Sequence, residues 1–223
     1  MPVLPLDDRS VAEAVEALRS GFPIVIPAPS PLAYAITGTE AAAVNTAKDR
    51  PASQPVGVSV ADIEMVAPYL ELTAGTLPLA RWLCESELVS LLAPVGPDTP
   101  GWLTPAISGG MLFFTSTPWL DRAATIIATF GHLYMSSANM TGGESATTAD
   151  AAGQAFGEDL IVLDGDRWRD QTRPQGSTTM VALTRDGDLT VARPGINSAA
   201  FGADQEAYAA DLSRRWREAG QEA

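Results

Sequence analysis

The chain has 223 residues, 46% of them apolar, a formal charge of −13 and a single cysteine. That length suits one large domain with its own core and is short for two, and the apolar fraction excludes a disordered chain. The acidic balance excludes a protein that coats nucleic acid, the lone Cys84 excludes an internal disulfide framework, and no apolar run approaches the roughly 20 residues that span a bilayer.

Val11, Ala14, Val15 and Leu18 recur at helical spacing behind Asp7 and Asp8, and Gly21 ends the run, which predicts a capped amphipathic helix. Phe22–Ile26 reads as a buried strand entering a proline-rich turn, Pro27–Pro31. A short helix is expected over Thr39–Ala47, a strand over Val56–Val60, and the start of a helix over Asp62–Ala67. Leu77–Leu92 reads as a longer apolar helix that contains Trp82 and Cys84. Pro97–Gly101 breaks the chain before a strand, Met111–Thr115. Pro118 suits the first turn of a helix running to Phe130, with Gly131 as its stop. Leu133–Ser136 is the next strand, followed by a turn at Thr141–Gly143. Thr148 caps a helix to Phe156, and Leu160–Leu163 is a strand. Arg185–Asp188 joins Thr179–Leu183 to Leu189–Ala192 as a hairpin. The tail, Asp204–Ala219, repeats Tyr208, Leu212 and Trp216 on one helical face.

Strands alternating with helices, then a late hairpin, imply an α/β fold, a twisted mixed sheet with flanking helices. No internal repeat or long linker divides the chain. Residues 1–202 are expected to form one domain and residues 203–223 a helical extension. Met1–Ser10 carries two aspartates and lacks the apolar stretch of a secretory signal, so a cytoplasmic protein without membrane contact is expected.

Four short segments carry residues suited to phosphate. Lys48-Asp-Arg50 places two cations around one residue after a helix, where a guanidinium fork and an ammonium could clamp a polyphosphate. The plainer reading is that basic residues offset the dipole at a helix C-terminus. Ser136-Ser-Ala-Asn139 follows a strand, where open α/β sheets bind ligands, and it also reads as an ordinary polar turn. Gly176-Ser-Thr-Thr179 offers hydroxyls and backbone N–H groups, and Arg193-Pro-Gly195 leaves the hairpin. Each is weak alone, and no Walker loop, G-x-G-x-x-G or metal-ligand cluster accompanies them. His132, the one histidine, reads as structural, so a histidine-based triad is not expected.

Taken together and in this order, the segments resemble the YrdC/YciO family, whose best-known members are threonylcarbamoyl-adenylate synthases. The resemblance runs from about Gly21 to Ile196. It includes K-x-R as Lys48-Asp-Arg50, P-G-x-x-T within Thr99–Thr104, T-S-A-N-x-S-G as Ser136–Gly142, an S-T-V-V segment at Gly176–Val181, and R-P-G as Arg193-Pro-Gly195. The resemblance implies an open α/β sandwich with a deep basic cleft that takes ATP, accompanied by Mg²⁺, with bicarbonate and an amino acid, threonine first. It implies that Lys48, Arg50, Ser177 and Arg193 meet phosphates, with Lys48 and Arg50 stabilising the reacting charge. Ser137 and Asn139 would line the nucleotide site, and Ser30 and Tyr34 would face substrate. Double-stranded RNA binding is not expected at this net charge.

The chain departs from the family pattern in two places. The first motif, P-T-[DE]-T-x-Y-G-L, aligns with Pro29–Ile36, where Pro31 replaces the acidic residue and Leu32 the second hydroxyl. The strand Met111–Thr115 lacks the arginine that usually precedes a proline, and Arg122 lies too far along to replace it. The nucleotide site reads as preserved and the acceptor pocket as altered. A different carbamoyl or acyl acceptor, or a non-catalytic YciO-like nucleotide or RNA binder, therefore stays open beside the threonine reading.

Overall fold

Asp7 starts the first helix by accepting a hydrogen bond from the Ser10 N–H at 2.9 Å, so α1 spans Asp8–Arg19. It buries the stripe Val11, Ala14 and Leu18. The structure, a computed structural model, describes residues 3–157 and 159–220. The remaining elements follow in order: β1 (Val3–Pro5, ahead of α1), β2 (Ile24–Ile26), β3 (Ala35–Gly38), α2 (Ala41–Ala47), β4 (Gly57–Val60), α3 (Leu77–Glu85), β5 (Ser90–Pro94) and β6 (Ile107–Ser108). Then come β7 (Met111–Thr115), α4 (Asp121–Phe130), β8 (His132–Ser137), α5 (Ala149–Phe156), β9 (Ile161–Asp164), β10 (Met180–Leu183), β11 (Leu189–Arg193) and α6 (Gln205–Ala219).

The strands form one mixed sheet in the order β1-β9-β2-β3-β8-β4-β7-β5-β10-β11, with β6 beside β7. Side chains alternate between its faces, and the alternation sorts the core into two. Val25, Val58, Phe114, Tyr134, Leu91 and Val181 point to one face, where they meet residues of α2, α3, α5 and α6. Ile24, Ile26, Leu133, Ile161 and Leu163 point to the other, where α1 and α4 cover them. Those two helices cover only the β1-β9-β2 side and the near end of β8. The same face beyond them stays open, and the cavity described below forms there.

The structure corrects several sequence expectations. The helix from Leu77 stops at Glu85, Leu88 turns into the left-handed region (φ 55), and Ser90–Pro94 is a strand. An apolar run of that length fits helix and buried strand equally well, and only sheet pairing decides. In place of the expected helix, Ile63–Met65 and Ala67–Tyr69 form two separate 3₁₀ turns, and Pro68 restricts the residue before it from continuing an α-helix. Pro118 lies ahead of α4, which begins at Asp121. β1, β3 and β6 had no expected counterpart. The hairpin, the Asp7 and Thr148 caps and the terminal helix stand where they were expected, although residues 221–223 of the expected extension lie outside the described residues. α6 packs on the sheet through Tyr208 and Leu212 and on α3 through Trp216, whose ring lies 5.6 Å from that of Trp82.

Candidate active site

The open face holds a cavity of about 310 Å³. Its floor is a row of ladder partners with their side chains up: Ala35 with Ser137, Met135 with Gly57, and Met180 with both Ser90 and Arg193. Phe113 lies flat across β4, because a Cβ on Gly57 would sit 2.6 Å from its ring. Only glycine permits that approach.

The Lys48–Arg50 corner and the Ser136–Thr141 loop interlock. Lys48 closes α2, and Asp49 turns the chain through the left-handed region (φ 54), so the two cations diverge. The Lys48 side chain is wholly buried, and its ammonium donates to the carbonyl of Ser137 (2.5 Å), to the carbonyl of Asn139 and to Asn139 Oδ1 (3.3 Å). Ser137 Oγ donates to the same Oδ1 at 2.6 Å, and Asn139 Nδ2 donates to the carbonyls of Met140 (2.7 Å) and Gly143 (3.0 Å). Arg50 Nε donates to Thr141 Oγ1 (3.1 Å) and Nη1 to Ser136 Oγ (3.3 Å), while Thr141 Oγ1 donates back to the Lys48 carbonyl (2.8 Å). Burial and the Arg50 charge pull the Lys48 ammonium down to about 7.

On the opposite wall, Ser177 Oγ shares a 2.6 Å hydrogen bond with Ser145 Oγ, and Arg193 Nη2 donates to the Thr178 carbonyl at 3.4 Å. Gly195 explains the end of the R-P-G segment, since a Cβ there would stand 2.5 Å from the backbone of Ser177 and Thr178. Burial, with the Arg50 charge added, lowers the pKa of Arg193. Lys48, Arg50 and Arg193 therefore share one neighbourhood without a carboxylate partner among the described residues, and no acidic side chain lines the cavity. Desolvated cations without counter-charges favour an anionic ligand.

Of the residues singled out in the sequence, Arg50, Ser137, Ser177, Arg193 and Tyr34 line this cavity. Lys48 and Asn139 stand behind its wall, joined to each other. Ser30 faces away, its hydroxyl accepting from the Asp170 N–H at 2.8 Å. The Tyr34 ring is fully buried in the core, and its hydroxyl donates to Asp166 Oδ1 (2.7 Å) and accepts from the Gly165 N–H (3.0 Å), so the ring does not face substrate as the resemblance implied. Leu32 also lines the cavity, held by paired hydrogen bonds between Pro31–Ala33 and Gly176. Arg122 is tied to Asp8 at 2.8 Å and stands outside the site.

Sequence reasoning missed two groups. Arg169 is buried over the Tyr34 ring (4.6 Å) and donates to the carbonyls of Leu32 and Thr147, so it pins the loop that carries Leu32. Its partners are too distant in sequence to leave a local signal. Ser90, Thr115 and Thr117 add hydroxyls to the cavity. For Thr115 the signal was present, because in Met111–Thr115 the residues alternating with buried Leu112 and Phe114 must face the other side. His132 stacks on Trp102 (4.3 Å) at the opposite end of β8, consistent with a structural role.

The model of the Sua5/YciO/YrdC family, described as telomere recombination, matches residues 16–195. The chain belongs to this family. Among its relatives, the threonylcarbamoyl-AMP synthase of Klebsiella pneumoniae subsp. pneumoniae is 25% identical over 166 residues, covering 72% of this chain and 86% of that one. Sua5 from P. abyssi, solved in complex with L-threonine, superposes with a TM-score of 0.63 at 18% identity and over 87% of this chain. The present chain spans 58% of that Sua5. E. coli YciO superposes with a TM-score of 0.62 at 16% identity, covering 87% of this chain and 93% of YciO. The Sua5/YciO/YrdC fold accounts for the mixed sheet and its flanking helices. Among the described residues, no helix is long and apolar enough to cross a membrane.

Proposed function

We propose that the protein adenylates a carbamate, with L-threonine, bicarbonate and ATP as substrates and threonylcarbamoyl-AMP, pyrophosphate and water as products. The observation that carries this reading is the cation cluster without carboxylates, Lys48, Arg50 and Arg193, around a cavity on the open sheet face. The curated synthase relative and the threonine-bound Sua5 support the choice of reaction and acceptor. Such an enzyme is a nucleotidyltransferase, and its product would serve N6-threonylcarbamoylation of tRNA adenosine 37 in the cytoplasm.

The chemistry is an in-line displacement. A carbamate oxygen attacks the α-phosphorus, the bond to the bridging oxygen breaks, and pyrophosphate leaves with the electron pair. Negative charge builds on the phosphoryl oxygens and the leaving group, so fixed guanidiniums lower the barrier more than a side-chain base would. The carbamate is already nucleophilic. Arg50 and Arg193 face the cavity and would hold the phosphates, while Lys48 fixes the Ser137–Asn139 turn against them. No acidic side chain lines the cavity among the described residues, so Mg²⁺ accompanying ATP would be held there by the phosphates and its own waters. Bound there, it would neutralise phosphate charge.

Leu32 at the cavity wall favours a second reading, in which a less polar acceptor replaces threonine. Pyrophosphate release from ATP, measured with bicarbonate while threonine is varied, tests the proposal. Threonine-dependent release supports it, release that ignores threonine moves the acceptor elsewhere, and no release removes the enzyme reading.

A further inference from the structure

The floor of the cavity carries hydroxyls that the cation cluster does not use, one of them without any partner among the described residues. Ser90 opens β5 and is 5% exposed, yet its Oγ has no hydrogen-bond partner among the described residues and lies at the cavity. Its neighbour Leu91 pairs with Phe114 across β5 and β7, which sets Ser90 and Thr115 side by side on the open face. Thr115 Oγ1 and Thr117 Oγ1 are 2.6 Å apart, both buried and both at the cavity. A hydroxyl pair uses one proton between its two oxygens, and Thr115 also meets the buried Cys84 thiol, so the capacity left for a ligand lies mainly on Thr117, beside the unpartnered Ser90 hydroxyl. Around them stand Phe113, Met180 and Trp119, whose indole N–H is already bound to Ser59 Oγ (3.0 Å).

Charge decides what such a floor accepts. Arg50 reaches in from the turn after α2, beside Ser136 of β8, and Arg193 from the end of β11, and they are the cations that line the cavity among the described residues. The hydroxyls lie on β5, at the end of β7 and just beyond it, on the strands between. A polyanion bridging the two guanidiniums would satisfy both, leaving the floor with neutral donors and acceptors in an apolar frame. A charged group pushed onto that floor would lose its water and gain no counter-ion, whereas a hydroxyl or carboxamide would exchange hydrogen bonds one for one.

We infer that Ser90, Thr115 and Thr117 form a specificity subsite that recognises an uncharged hydrogen-bonding group, hydroxyl or carboxamide, on the acceptor. This rests on the adenylation reading for the presence of a nucleotide beside it. It also bears on Leu32, since the sheet floor supplies part of the hydrogen bonding to the acceptor that the loop no longer gives. A ribose hydroxyl offers the same chemistry, so the test must separate acceptor from nucleotide.

Calorimetry with α,β-methylene-ATP, followed by acceptor titrations onto that complex with bicarbonate present, makes the separation. The acceptors are near-isosteric sets: threonine against valine, and asparagine against aspartate and leucine. Wild type should prefer the neutral polar member of at least one set by tenfold or more. Thr115→Val with Ser90→Ala should reduce that preference to threefold or less while analogue affinity stays within twofold, and Thr115→Ser should retain it. If Thr115→Val does not fold, Ser90→Ala alone should still reduce the preference at least threefold. Analogue binding with no polar preference, or with a preference the variants do not change, overturns the subsite and leaves the nucleotide reading standing. A tenfold loss of analogue affinity in the variants assigns the hydroxyls to the nucleotide and overturns the acceptor assignment. Failure of wild type to bind the analogue overturns both readings.

Discussion

The ammonium of Lys48 is held by two oxygens of Asn139, a residue 91 positions further along the chain, one from its backbone and one from its side chain. The K-x-R and S-x-N segments are thus one device, in which the lysine shapes the turn and the arginine faces the cavity. The two cations should therefore fail differently. Arg50→Ala removes a cavity-lining charge and should weaken ATP binding roughly tenfold to hundredfold, about 1.5–3 kcal/mol, with little change in melting temperature. Lys48→Met leaves buried carbonyls unpaired and should also lower stability by about 1–3 kcal/mol. Calorimetry and urea denaturation of both variants check this. Equal stability of Lys48→Met and wild type would remove the anchoring role, and unchanged ATP affinity in Arg50→Ala would remove the clamp.

The same lysine predicts a pH dependence. Its pKa is drawn down to about 7 in the fold, against about 10.4 for a free lysine. Between those values the unfolded chain binds the additional proton, so the Lys48 contribution to stability rises with pH across that window and is flat below it. The urea midpoint of wild type relative to Lys48→Met should climb from pH 7 to pH 9.5. A polyphosphate beside this group would raise its pKa, so ATP binding at pH 8 should take up protons. Titrations in buffers of different ionisation enthalpy measure that uptake, and a difference in midpoint that does not change with pH would contradict the assignment.

How much of this was legible in the sequence follows from where the signals reside. The K-x-R, S-x-N and R-P-G segments announce their chemistry through residue type, and the caps at Asp7 and Thr148 through local hydrogen bonding. β5 was concealed because Leu88–Ala93 is apolar apart from Ser90 and follows a helical apolar pattern without a clear break, and the sheet neighbours that make it a strand are encoded elsewhere. That Lys48 is buried while Arg50 is at the cavity depends on the Asp49 backbone turn, which the residue types do not announce. Arg169 had no local mark, because the Leu32 carbonyl that it holds is 137 positions away.

Gly57 is predicted to be irreplaceable while Phe113 is present. Alanine there would place a methyl 2.6 Å from a ring carbon, forcing the floor to shift at a cost of about 1–3 kcal/mol. Phe113→Ala alone should be destabilising through the void it leaves. The double variant should be more stable than the sum of the two losses implies, because each change removes part of the other's penalty. A denaturation cycle over the four proteins measures the coupling, and strict additivity would mean that the ring moves aside freely.

Double-stranded RNA should bind weakly or not at all. Outside the cavity the arginines are largely matched to acids: Arg81 with Asp62, Glu64 and Glu85, Arg173 with Asp170, Arg214 with Asp211 and Glu218, and Arg215 with Glu87 and Asp211. Few cations remain to release counterions along a phosphate track, and the net charge of −13 repels one. A gel shift at moderate salt should show no stable complex. Tight binding that weakens steeply with added salt would show a basic surface that this charge distribution does not contain.

Leu32 offers the most direct probe of the acceptor wall. Its side chain lines the cavity, and its backbone is fixed from both sides by Gly176 and the buried Arg169, so a substitution should change chemistry without moving the loop. Leu32→Thr sets a hydroxyl where the family pattern has one and removes apolar surface that a polar acceptor must face. One added hydrogen bond is worth about 0.5–1.5 kcal/mol net, so the apparent KM for threonine should fall roughly twofold to tenfold, with kcat changed little. The measurement is bicarbonate-dependent formation of the AMP adduct by mass spectrometry as threonine is varied. If the wall has been refitted to a less polar acceptor, the substitution should instead lower turnover on that acceptor. Efficient wild-type turnover at low threonine, with no gain from Leu32→Thr, would show that the polar group of the acceptor does not meet this wall.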